Sequence, residues 1–115
     1  MSKRGDQEFL CDLIEAIKRI EVYIEKTSYE IFLDDMKTQD AVIRNLEIIG
    51  EAIKNLSDDL RLKYKDVEWK KVAGLRDRII HYYFGVNWEI VWDVIENKLP
   101  ELKSKIESIL KEASD

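Results

Sequence analysis

Arg76, His81 and Tyr83 lie within one eight-residue stretch, RDRIIHYY (76 to 83), which holds the only histidine of the chain. An imidazole titrates close to neutral pH and can take or return a proton, and a guanidinium can stabilise charge growing on a phosphate. A His and Arg pair of this kind suits metal-free attack on a phosphate ester. Asp77 precedes His81 by four residues, where on a helix it could accept a hydrogen bond from the ring, fix its tautomer and raise its pKa. The plain alternative is an ordinary surface pair of Asp77 and His81, with Arg76 in a structural salt bridge to an acid such as Glu47 or Glu51.

Other chemistries find less support. One histidine and one cysteine cannot make a typical zinc site, and no glycine-rich phosphate loop is present. The neighbouring carboxylates Asp34 and Asp35, and Asp58 and Asp59, point apart and read as helix caps. Cys11 has no partner for a disulfide and is expected to fill a core or an interface, with a redox-sensitive thiol as the other reading. No cofactor is implied. No run approaches the ~20 apolar residues of a membrane span, and the N-terminus lacks the apolar stretch of a secretory signal, so a soluble cytoplasmic protein is expected.

The net charge of -5 argues against a polyanion partner until its distribution is considered. Between Arg61 and Arg78 stand seven basic residues (Arg61, Lys63, Lys65, Lys70, Lys71, Arg76, Arg78) against three acidic ones, so this segment carries +4 on an acidic body. Such a strip can bind RNA phosphates, with Arg78, Lys70 and Lys71 as candidate contacts. A solvated basic helix face is the competing reading.

These residues need a scaffold. At 115 residues, 37% charged and 45% apolar, with 4 glycines and 1 proline, the chain fits one almost wholly helical domain, 1 to 115. Leu10, Leu13, Ile17, Ile20 and Ile24 stripe a helix from about 6 to 26, and Val42, Leu46, Ile49, Ile53 and Leu56 stripe a second from about 38 to 56. TSYEIFLDD breaks the pattern between them. Ser57 caps a short helix ending near Tyr64. A third long helix is expected over 69 to 82, with Val72, Leu75, Ile79 and Tyr82 on one face. Gly85 then supplies a positive φ, Asn87 caps the last segment, and Pro100 marks a new start or a kink within it. Val91, Ile95, Leu102, Ile106 and Ile109 line one side of that segment. The economical architecture is all-α, an antiparallel four-helix bundle with an additional short helix. Trp88, Trp92, Ile43 and Ile48 fall beside these stripes and suggest a homodimer surface; alternatively, the two tryptophans roof the monomer core.

On a regular helix at about 100° per residue, with Val72 at zero, Arg76 lies near 40° and Tyr83 near 20°, beside the apolar stripe. His81 lies near 180° and Asp77 near 140°. Arg76 and His81 can therefore share a site only through a bend or a second chain.

Arg76, four residues, His81, one residue and Tyr83 spell R-x4-H-x-Y, and here the chain resembles the HEPN superfamily, in its HepT-like toxin branch. The surrounding segments DMKTQDAVIRNLEIIGEAIKNLS (35 to 57), EWKKVAGLRDRIIHYYFGVNWEIVW (68 to 92) and LPELK (99 to 103) are similar to that branch in order and spacing, from Phe9 to Leu110. Glu68 departs from the proline expected before Trp69, and Asp77 from the Asn often found after the motif arginine. The resemblance implies a homodimer whose two motifs line one cleft, and metal-independent endoribonuclease activity. It implies that His81 acts as general base or acid around a ribose 2'-hydroxyl and the leaving oxygen, while Arg76 stabilises the phosphorane. It further implies that Tyr83 takes AMP from a cognate MntA-type minimal nucleotidyltransferase antitoxin, silencing the toxin by bulk and negative charge. Two alternatives stay open: a non-catalytic nucleotide- or substrate-binding subunit of a two-component nucleotidyltransferase, and a purely structural helical dimer.

Overall fold

The apolar stripes become two long helices, α1 (Asp6–Ile24) and α3 (Met36–Lys54), in the computed structural model of the chain. The structure describes the backbone of residues 5–81 and 85–114 and the side chains of 5–79 and 85–112. Leu10, Leu13, Ile17 and Ile20 of α1 are buried with Val42, Leu46, Ile49 and Ile53 of α3, and this is the most extensive helix pairing of the fold. At one end, Asp6 accepts hydrogen bonds from the Ser57 amide (2.8 Å) and hydroxyl (2.6 Å), so the start of α1 is tied to the end of α3. The two helices are thus antiparallel.

The segment read as a break holds a further short helix, α2 (Tyr29–Leu33), capped by Ser28, whose hydroxyl accepts from the Ile31 amide at 3.2 Å. A five-residue helix is too short to show a periodic stripe. Its one fully buried side chain, Phe32, packs on Trp88 and Trp92 at ring-centroid distances of 5.5 and 5.1 Å. Gln39 is buried and donates through Nε2 to the carbonyls of Phe32 and Leu33, both at 2.9 Å, which fastens α2 to α3. The two tryptophans, like Ile43 and Ile48, are half-buried and pack against the core. Ile31, Leu33 and Met36, in and beside α2, are large apolar side chains left exposed. Cys11 is exposed on α1, so it does not fill the core.

Asp35 caps α3, accepting from the Thr38 amide at 3.1 Å and hydroxyl at 2.6 Å, and these bonds hold its carboxyl below the usual carboxylate range. Ser57 caps α4 (Asp58–Lys63), whose first turn carries Asp58 and Asp59 as expected for the positive end of the helix dipole.

The expected long helix over 69 to 82 is a correction. It is divided into α5 (Trp69–Ala73) and α6 (Leu75–Ile79) with Gly74 between them, and the chain then enters a two-residue strand, β1 (Ile80–His81). β1 pairs antiparallel with β2 (Gly85–Val86), placing His81 opposite Gly85. Gly85 has φ +85°, in the left-handed region that costs other residues strain, and the Asn87 amide donates to the Ile79 carbonyl at 2.7 Å across the reversal. The third long helix is thus a pair of short ones, and among the described residues the all-α framework carries one minimal β ladder.

From Asn87, whose Oδ1 accepts from the Ile90 amide at 3.1 Å, the chain runs as α7 (Trp88–Asp93), a π-helical turn (Val94–Lys98) and α8 (Leu99–Ser114). Pro100 has no N–H to return to the carbonyl of residue 96, and its ring needs room there, which explains the wider turn just before it. Among the described residues no helix is long and apolar enough to cross a membrane.

Candidate functional site

The α5–α6 bend sets the site's geometry. Gly50 of α3 lets α5 approach so closely that a Cβ there would meet the Ala73 carbonyl oxygen at 3.4 Å. One turn further along each helix, Arg76 reaches Glu47, donating from Nε to Oε2 at 2.7 Å. This is the salt bridge to Glu47 that the plain alternative for Arg76 expected. Both side chains remain accessible, 55% for Arg76 and 37% for Glu47, so the pair lies open to a ligand instead of being sealed in the core. The bond to Glu47, and then the nearness of that charge, raise the guanidinium pKa above its ordinary value, and the group is fully cationic.

Among the described residues the two terminal nitrogens of Arg76 have no acceptor. A guanidinium held by Nε keeps its outer fork for a planar or tetrahedral oxyanion. Arg44, Glu47, Ile48 and Glu51 of α3 form one wall of the groove into which it projects, and Ala73 contributes to the other.

His81 is placed by its backbone alone. Because α6 ends at Ile79 and β1 begins, His81 is not the next turn of an α6 helix, and the helical Asp77–His81 spacing does not hold. The backbone between Arg76 and His81 therefore departs from a regular helix. The His81 side chain and all of Tyr83 lie outside the described residues. Asp77 is exposed on α6.

The basic segment does not form one strip. Arg61 pairs with Asp58 at 2.7 Å, Lys71 with Glu68 at 3.0 Å, and Lys63 stands 4.0 Å from Glu112. The Lys71 hydrogen bond holds the Glu68 carboxyl below the usual carboxylate range. Lys70 and Lys65 flank Trp69, while Arg78 shares a different groove with Lys71, Lys98 and Lys105. Arg76 and Arg78, two residues apart on a helix, project to opposite sides of α6. Lys98 and Lys105 come from the π turn and α8, where no local charge run signals them.

A family model described as ribonuclease HepT-like matches residues 13–109. The chain belongs to this family. Over 112 residues it is 48% identical to a Methanocaldococcus jannaschii protein named "Putative RNase", covering 97% of this chain and 93% of that one. It is 43% identical over 109 residues to a Thermococcus cleftensis protein named "Probable ribonuclease HepT", covering 95% of this chain and 99% of that one. No solved structure matches the chain. The HepT-like assignment agrees with the all-α framework and with the R-x4-H-x-Y spacing from Arg76 to Tyr83.

Arg44 escaped the sequence-based search. It lies outside the basic run, and only the register of α3 against α5 and α6 brings it into the groove of Arg76.

Proposed function

We propose that this HepT-like ribonuclease is a metal-independent endoribonuclease and the toxin of a two-gene toxin–antitoxin pair, acting in the cytoplasm as a homodimer. The 2'-hydroxyl of the nucleotide before the scissile bond attacks the adjacent phosphorus. A base removes its proton, the bond from phosphorus to the 5'-oxygen breaks, and an acid protonates the leaving oxygen. His81 takes one of these proton-transfer roles, and the second subunit's copy is available for the other. Arg76 receives the negative charge of the phosphorane on its outer nitrogens. Arg78, Lys70 and Lys71 are reserved for phosphates farther along the strand.

The observation that carries this reading is the state of Arg76: accessible, charged, held by Glu47 through Nε alone, and followed within five residues by a change from helix to strand at His81. The outer edge of the guanidinium is left free to match two oxygens of a phosphate.

Regulation by adenylation follows the same logic. AMP on the Tyr83 hydroxyl, delivered by a minimal nucleotidyltransferase antitoxin with release of pyrophosphate from ATP, would place bulk and negative charge beside a phosphate-binding site. Purified full-length protein should cleave RNA in the presence of a chelator, and His81→Ala and Arg76→Ala should each lose at least about a hundredfold in kcat/KM. Equal RNA cleavage by the wild type and His81→Ala would contradict the proposal. Nucleotide binding by a wild type that leaves RNA intact would instead identify a non-catalytic partner subunit of the transferase. Coexpression with the antitoxin should add an adenylate-sized mass that Tyr83→Phe abolishes.

A further inference from the structure

Among the described residues, the neighbours that Arg76 reaches come largely from α3. α5 and α6 pack on α3 beside Gly50, and one turn away Arg76 lies level with Glu47. An exposed ion pair contributes little to stability, because water screens it and two side chains must be ordered. What the pair does accomplish is orientation. Glu47 engages the inner nitrogen at 2.7 Å, so the planar fork beyond it is turned toward the groove.

Arg44 sits three residues before Glu47 on the same face of α3 and lines the same groove. It is exposed, and among the described residues it has no hydrogen bond or ion pair to an acid. Glu47 is paired with Arg76, and Glu51 and Lys54 add one charge of each sign to the groove, while Asp40, one turn before Arg44, lies outside it. One oriented guanidinium and one uncommitted guanidinium thus border a single open groove. This is the composition expected where the non-bridging oxygens of a phosphodiester are gripped from two sides.

We propose that α3 completes the phosphate site: Glu47 is a positioning residue that aims Arg76, and Arg44 is a second cation that binds the substrate's phosphodiester in the same groove. This rests on the ribonuclease reading above. It assigns roles outside the R-x4-H-x-Y motif, to a helix whose charged face would otherwise be ordinary solvated surface.

The test is steady-state cleavage of a short RNA of defined sequence by the full-length protein, with thermal midpoints and the salt dependence of binding measured alongside. Glu47→Ala should lower kcat by about tenfold or more while KM stays within about twofold, because the arginine is still present but no longer aimed. Glu47→Gln keeps an oxygen acceptor for Nε and should recover most of that loss. Arg44→Ala should raise KM and reduce the slope of log affinity against log salt by about one, as expected when one phosphate contact is lost. Arg44→Lys should restore much of both. The thermal midpoints should not move with these activities. If Glu47→Ala cleaves as fast as the wild type or faster, or if Arg44→Ala leaves KM and the salt slope unchanged, the inference is wrong while the ribonuclease reading stands. A wild-type protein that cleaves no RNA brings down the reading itself.

Discussion

The pairing of α1 with α3 and the stretch from Trp69 to Val86 are built on opposite principles. The first uses two nineteen-residue helices, each with one continuous buried stripe and a defined start, and it buries Leu13, Ile17, Ile49 and Ile53 completely. The second uses two five-residue helices, a glycine break, a two-residue ladder and a left-handed glycine, and within it only Trp69, Leu75 and Ile79 are buried among the described side chains. Every motif residue falls in the second region. A regular helix returns a side chain to the same face every three or four residues, which serves packing; a site needs groups aimed off that lattice, which requires interruptions. α3, in the regular region, supplies Glu47 to hold Arg76 in the interrupted one.

This contrast can be broken. Truncating the regular half should be the most damaging change: Ile17→Ala should cost about 2 to 5 kcal/mol, read as a lower denaturant midpoint at unchanged slope. Next comes the contact between halves. Gly50→Val should cost about 1 to 3 kcal/mol by forcing α5 from α3, and it should depress RNA cleavage beyond that stability loss because Arg76 moves away from Glu47. Gly50→Ala, whose added carbon meets the Ala73 carbonyl at 3.4 Å, should be nearly neutral or slightly stabilising, since a glycine within a helix costs roughly 0.5 to 1 kcal/mol against alanine. Of the destabilising changes, the smallest is in the interrupted region alone: Gly85→Ala, at φ +85°, should cost about 1 to 2 kcal/mol, yet alter cleavage through His81, its ladder partner. If Gly85→Ala destabilises as much as Ile17→Ala, the division between a scaffold and a stretch that carries the site is false.

The same division governs what the sequence discloses. The stripes of α1 and α3, the caps at Asp35, Ser57 and Asn87, and the positive φ of Gly85 are all readable, because each depends on spacing or on one residue's own chemistry. α2 is not readable, since its stability comes from Phe32 packing on Trp88 and Trp92, which lie more than fifty residues away in sequence. The division of 69 to 82 is likewise invisible: Val72, Leu75 and Ile79 keep helical periodicity across Gly74, and only the tertiary contacts and the pairing of His81 with Gly85 end the helix. For the site, the motif and the need of Arg76 for an acid were legible. The split of the basic run into separate grooves, and the presence of Arg44 in one of them, depend on inter-helix register that no local pattern records.

The central claim is that Arg76 and His81 make this fold a metal-independent ribonuclease. Its most direct test is the rate at which the purified full-length chain cleaves a labelled single-stranded RNA in excess chelator, compared with His81→Ala at matched thermal stability. The account predicts cleavage by the wild type and a loss of at least about a hundredfold in the variant. Equal rates, or a wild-type rate that appears only when divalent metal is restored, would contradict it.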